Sequence, residues 1–454
     1  MNRVVGRAWL WSGIPAAWVD STPHSAFRTR KPSTLTFPLV GLAVVLAAGC
    51  GQPSLKIGAT AWTDEAWPRH TIDDTSLGAD GVRLADLNGD GHQDIVSPWE
   101  QGGKIRLYVN PGMSGIRDPW PAVTVGEVGD PEDAFLVDLD GDGVLDVVSS
   151  CEGTTRSMYV HWAPRDVTRL LDPSAWRTDS IPVTEGAAQW MYSMSLDVDG
   201  RHGVDLIASA KGDGAQIGWL RSPENPRNLG EWDWHPLYDA GWVMTLRSED
   251  VDADGDLDIV ATDRMDAARG ALWLENPGSA GSADRPWAQH RIGPVGAYEA
   301  MHHDIADLDG DGLRDTLVAV KGGPIRYHRR TAQAPLTWET HNIPMPPSTG
   351  SGKSVKVADV DLDGKKDLVV ACEHATDGKI GVFWLSFEAA ATEPDWTPHS
   401  ISGPEGFIFD LLQIVDLDAD GDLDVVTLEE KGPYLASGYK GDELGVIWYE
   451  NPLQ

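Results

Sequence analysis

The chain has 454 residues, 41% of them hydrophobic, and a formal charge of −34. That balance supports a packed core and excludes the basic surface that nucleic acid requires. With 49 glycines, 30 prolines and three cysteines, the chain is rich in turns and carries no disulfide framework.

Residues 1–27 form an N-terminal extension to which no structure is assigned. Residues 28–50 place Arg28, Arg30 and Lys31 before an apolar stretch from Leu35 to Ala48. That stretch is too short to span a bilayer and reads as a secretory signal. Its ending, LAAGC, resembles a bacterial lipobox, although Ala47 stands where leucine is commonest. The resemblance implies lipid on Cys50 and an exported protein, held at the cell surface or outer membrane by that anchor or released to the periplasm or medium. Residues 51–60 read as a linker.

From residue 61 to 454 the chain repeats. Nine-residue acidic segments begin at Asp86, Asp138, Asp197, Asp250, Asp307, Asp359 and Asp416. Each is followed by a short β-branched run such as IVSPW or VVSSC, then by an alternating run such as GALWLENPG. A Trp-x-x-His segment comes next, as in WAQHRI, and then a final apolar run leads into the next acidic segment. Every run has strand character and none has helical periodicity. Seven units of four short strands predict an all-β fold, a single seven-bladed propeller. The first Trp-x-x-His strand, at Trp67, precedes the first acidic segment, and the last unit lacks its own. The N-terminal strand is therefore expected to join the last blade and close the ring. The tryptophans read as packing between blades, the Trp-x-x-His histidines as structural, and Cys151 and Cys372, which share one phase of the repeat, as buried free thiols.

The units resemble VCBS and FG-GAP repeats, the latter also found in integrin α-subunit propellers. The literal FG and GAP letters are missing, so VCBS is the nearer likeness. The pattern Asp-x-Asp-x-Asp-Gly gathers three side-chain oxygens around a sharp turn, and calcium takes six to eight oxygens in flexible geometry. Candidate ligands are Asp86, Asn88, Asp90 and Asp94; Asp138, Asp140, Asp142 and Asp146; Asp250, Asp252, Asp254 and Asp258; Asp307, Asp309, Asp311 and Asp315; Asp359, Asp361, Asp363 and Asp367; and Asp416, Asp418, Asp420 and Asp424. In the third segment Arg201 and His202 replace the fifth Asp and the Gly, so no ordinary site is expected there. Six structural Ca2+ ions would bring the charge to about −22.

In this family the face away from the calcium loops usually takes the ligand. The positions three residues before each acidic segment include Arg83, Arg247, Asp304 and Lys356. Those six residues after each segment are all charged: Glu100, Glu152, Lys211, Arg264, Lys321, Glu373 and Glu430. The run YEAMHHD adds Glu299, His302 and His303. These charges make either a self-satisfied ring of ion pairs or a pocket for an extracellular glycan. Some lyases and sugar dehydratases resemble this fold. In that case Arg83, Arg247 or Lys356 would neutralise a substrate carboxylate and His302 or His303 would act as base. Otherwise the propeller is an adhesion module for a glycan or a surface protein. A monomer that meets the membrane only through its lipid anchor is expected.

Overall fold

A computed structural model describes Trp62 and residues 65–265, 269–278, 286–430 and 443–453, all within one unit, Gly58–Gln454. The extension, the signal with Cys50, and the linker lie outside the described residues.

Seven four-stranded antiparallel sheets follow one another along the chain. Strand β1 (Arg69–Asp73) comes first and stands apart. Blade 1 is β2 (Arg83–Ala85), β3 (Asp94–Trp99), β4 (Lys104–Tyr108) and β5 (Ala122–Glu127), and blade 2 is β6 (Pro131–Val137), β7 (Asp146–Cys151), β8 (Met158–Trp162) and β9 (Arg177–Ser180). Blade 3 is β10 (Gln189–Leu196), β11 (Asp205–Lys211), β12 (Gln216–Arg221) and β13 (Asp233–Asp239), and blade 4 is β14 (Val243–Glu249), β15 (Asp258–Asp263), β16 (Gly270–Glu275) and β17 (Ala288–Gly293). Blade 5 is β18 (Glu299–Ala306), β19 (Asp315–Lys321), β20 (Ile325–Gln333) and β21 (Leu336–Ile343), and blade 6 is β22 (Ser351–Ala358), β23 (Asp367–Glu373), β24 (Val382–Phe387) and β25 (Trp396–Ser400). Blade 7 is β26 (Ile408–Val415), β27 (Asp424–Glu430), β28 (Gly445–Tyr449) and, as its outer edge, β1. The expected closure is therefore present, with His70 opposite Trp448 and Thr71 opposite Ile447.

The first strand of each blade lies innermost and packs on the first strands of its neighbours. The second strands are the β-branched runs and are almost wholly buried. A strand covered on both faces has no use for polar alternation, which is why these runs read as continuous apolar stretches.

The third and fourth strands are pinned by one cross-strand pair. His235 stacks on Trp219 at 4.8 Å between ring centroids, His290 on Trp273 at 4.3 Å and His399 on Trp384 at 3.8 Å. His70 lies over Trp448 and His341 over Tyr327 in the same register. Blades 1 and 2 lack this His, and the aromatic is lost with it: Leu107 faces Val123 and Val160 faces Asp179. These histidines are structural, as expected. Cys151 and Cys372 are buried and unpaired.

Candidate functional site

Each acidic segment is the turn between the first and second strands of its blade, and its last Asp opens the second strand. The fourth and sixth positions of every segment have left-handed backbone, from Gly89 and Gly91 to Ala419 and Gly421. Glycine takes that conformation freely, yet Ala253, Leu362 and Ala419 adopt it at position four. In blade 3, His202 holds φ 59° where the other loops have glycine. That loop keeps the shape of its siblings after losing part of their chemistry.

The last Asp of each segment has a role the spacing did not show. In blades 1, 3, 4, 5 and 7 its two oxygens accept backbone N–H groups from opposite sides of the turn. Asp94 takes Leu87 at 2.8 Å and Asn110 at 2.8 Å; Asp258 takes Val251 at 2.9 Å and Asn276 at 2.7 Å; Asp424 takes Leu417 and Asn451, both at 2.9 Å. It is a staple between strand ends before it is a ligand. Burial pushes the Asp258 carboxyl up to about 7, against the pull of those N–H bonds.

The earlier positions fit a divalent cation. In blades 2 to 6, three carboxylates per loop bring their oxygens within 4.8 Å of one another. Buried oxygens of Asp250, Asp359 and Asp418 have no hydrogen-bond donor, and neither oxygen of Asp422 has one. Guanidinium groups offset part of this charge: Arg165 on Asp142 at 3.0 Å, Arg329 on Asp311 at 2.6 Å, Arg117 on Asp418 at 2.8 Å and Arg221 on Asp199 at 3.2 Å. At the blade 4 loop the Arg330 guanidinium instead donates to the Val251 carbonyl, close enough for its charge to act on Asp250 and Asp252. In blade 3, Arg201 is exposed, and Asp197, Asp199 and Asp205 still converge. The loop's added cation is therefore Arg221 as much as Arg201.

The second constellation runs along the axis, and β-bulges build it. In blades 2 to 7 the innermost strand slips register against its partner, between Pro131 and Asp133, Trp190 and Ser193, Val243 and Thr245, Ala300 and His303, Gly352 and Ser354, and Phe409 and Leu412. A bulge re-aims the side chains it carries. The slipped residues include Glu132, Tyr192, His302, Lys353 and Asp410, which meet at the centre although they come from five blades. His302 receives or gives hydrogen bonds at Asp410 (2.8 Å) and Thr245 (2.9 Å), and Lys353 pairs with the other oxygen of Asp410 at 2.8 Å.

A cavity of about 230 Å³ lies on this axis, lined among others by Arg83, Tyr192, Arg247, His302, His303, Ser354, Lys356 and Gln413. Arg83, Arg247 and Lys356 stand three residues before their acidic loops, about 10 Å along the strand. Their part-exposed side chains, with exposed Ser248, put the open end toward the loop face, while Tyr192, His302, His303 and Ser354 are buried. Asp133 takes a two-pronged contact from Arg83 at 3.2 and 3.1 Å. Asp304 faces both Arg247 at 3.1 Å and Lys356 at 3.5 Å. His303 is 1% exposed, and neither ring nitrogen has a partner in the protein; Ser354, also 1% exposed, likewise leaves its hydroxyl unpaired. Burial holds both histidines below their usual range, with the Arg247 charge adding to the effect on His303 and Asp410 opposing it at His302.

The opposite end of the axis is acidic. Asp80 and Glu132, 6% and 9% exposed, meet Glu100, Asp410 and Glu430. Burial raises the Asp80 carboxyl well above its usual range, and the neighbouring carboxylates of Glu132, Glu430, Asp410 and Glu100 raise it further. Asp410 alone is held down, to about 2: burial is the largest single influence and raises it, but the Lys353 ammonium and the His302 hydrogen bond together outweigh that.

Two groupings need correction. Glu299 and Asp304 do not share one face: Glu299 sits opposite Lys321 at the far end of β18, and Asp304 sits opposite Leu317 on the loop side. The axial cations Arg83, Arg247 and Lys356 likewise lie on the acidic-loop half, and not on the face away from it. The seven charges after the second strands are mostly spent between blades. Lys211 pairs with Glu152, Lys321 with Glu373 at 2.5 Å, and Arg264 with Glu299 at 2.6 Å. Only Glu100 and Glu430 have no ion pair among the described residues. Sequence spacing misses Glu132, Lys353 and Asp410 because the bulges break the alternation by which a sequence is counted, and it misses Asp80 because that residue precedes the first strand of blade 1.

Taken together, the fold and loops define an Asp-looped seven-bladed propeller. A family model described as FG-GAP-like repeat matches residues 86–149 and 307–370. Each stretch runs from one acidic loop through the next, and these repeats and the seven blades fit an FG-GAP family. No curated protein matches the chain. Among solved structures, the crystal structure of BBS1N in complex with ARL6DN, soaked with lead, aligns at 11% identity and TM-score 0.50, covering 86% of this chain and 97% of that one. The mercury-soaked crystal aligns at 11% identity and TM-score 0.47, covering 86% and 96%. Such identity speaks to fold alone.

Proposed function

We propose that this chain is a calcium-braced recognition propeller that works outside the cytoplasm and binds an extracellular carbohydrate or a surface protein. One contrast carries the reading. Six of the seven loops repeat nearly the same donor set, whereas the axial positions three residues away carry six residue types over seven blades: Arg83, Phe135, Met194, Arg247, Asp304, Lys356 and Gln413. A brace repeats, and a recognition surface is individual. The loop aspartates would hold Ca2+, which neutralises their charge and fixes the turn. His302 is tied on both ring nitrogens and buried, which suits a positioning role better than proton transfer.

A second reading, elimination from an acidic sugar, is favoured by one observation. His303 offers a neutral, unpartnered imidazole beside Arg247 in a cavity that Lys356 also lines. A base beside cations is what proton abstraction next to a carboxylate requires.

Two measurements test these readings. Chelation should lower the melting temperature by several degrees and added calcium should restore it; an unchanged transition would remove calcium from the account. The calcium-loaded protein should then bind members of a panel of acidic and neutral polysaccharides or surface proteins without releasing unsaturated products or new reducing ends. Product formation would favour the elimination reading, and no binding at all would reject recognition of these partners. The export part is checked by the mass of the mature N-terminus, expected to begin at a lipid-modified Cys50.

A further inference from the structure

We infer that the axial cavity is a seat for one singly charged oxyanion group, a carboxylate or a sulfate ester, carried on a small ligand. Charge comes first. Three cations, Arg83, Arg247 and Lys356, face the cavity, and two carboxylates, Asp133 and Asp304, answer them. Asp304 is shared between two cations. One positive charge is left over, which a monoanion balances and a dianion would overshoot.

Donors come second. The Ser354 hydroxyl and a ring N–H of His303 are buried at the cavity wall without an acceptor in the protein. A buried donor without an acceptor is costly, and it becomes a strong contact when an ionised acceptor arrives. The Arg247 guanidinium, which meets Asp304 through Nη2, has further N–H groups to offer the same oxygens. His302, clamped by Asp410 and Thr245, keeps the neighbouring wall rigid.

Size comes third. About 230 Å³ is below the roughly 300–1,000 Å³ of pockets that enclose drug-sized molecules. The seat suits one anionic group and part of its carrier, while an attached chain would leave through the open end on the loop face.

The seat is read from the cavity itself; only the idea that a glycan carries the anion rests on the recognition reading. Calorimetry on the full, calcium-loaded chain at low salt would use glucuronate, methyl sulfate, inorganic sulfate and glucose. Glucuronate or methyl sulfate should bind one to one and glucose should not. Arg247→Gln and Ser354→Ala should each weaken that binding by about tenfold or more. Ser354→Ala removes a hydroxyl with no partner in the protein, so its melting temperature should stay put and a loss of binding cannot be blamed on unfolding. Absence of binding by both monoanions, binding of inorganic sulfate alone, or binding that survives both substitutions would overturn the seat. Glucuronate binding in a protein that ignores every polysaccharide would sink the polymer partner and leave the seat standing.

Discussion

The two ends of the axial channel are built from the same seven strands and carry opposite charge. At the loop end, cations exceed their carboxylate partners, and the long Arg83 and Arg247 side chains still touch water. At the far end, carboxylates exceed cations, and Lys353 is buried against Asp410. The loop-end charges are partly solvated and can be redirected to a ligand. The far-end pair is desolvated, so it is bound to the fold itself. The difference teaches that burial, more than residue type, decides which axial charges are available for binding.

The largest expected break comes from Asp410→Ala. It strands a buried ammonium and frees both His302 and Lys353, which should cost about 3–5 kcal/mol in urea unfolding. Asp133→Ala at the loop end should cost less, about 1–3 kcal/mol, because Arg83 reaches solvent and the Ser193 N–H is the main loss. Equal costs would dissolve the contrast.

A smaller effect with a definite pH sign comes from Asp80→Asn. The folded Asp80 holds its proton more tightly than the unfolded chain does, so its contribution is intact below the ordinary carboxylate pKa. It is lost as pH rises through the raised folded value. The variant should therefore gain about 1–2 kcal/mol over wild type near pH 8 and nothing near pH 4. Glu430→Gln should behave alike but more weakly, being half-buried. A gain that grows toward acid would contradict the crowded far end. The smallest change is Ser354→Ala, whose stability should stay within about 0.5 kcal/mol of wild type.

Much of this molecule is legible in its sequence because the repeat prints the same instructions seven times. Strand phase, the loops between first and second strands, and closure by the strand at Trp67 all follow from spacing. The axial network does not. Arg83, Arg247 and Lys356 are more than a hundred residues apart in sequence and meet only because a ring brings every first strand to one line. Glu132, Lys353 and Asp410 occupy bulges, where counting by twos gives the wrong side. The stapling role of the last loop Asp was hidden for another reason: ligand and staple both demand a carboxylate at that position.

Closure by β1 also constrains how the protein can be made. The sheet containing Asp424–Glu430 and Gly445–Tyr449 has no outer strand until residues 69–73 return to it. During synthesis the first strand must wait, unpaired, while six blades emerge. A nascent or clipped chain therefore presents two adhesive strand edges at once, and neighbouring copies could trade that strand between them. Such a chain stays exposed to proteases and to its own kind until its two ends meet, so the ring acts as a completeness check on the polypeptide.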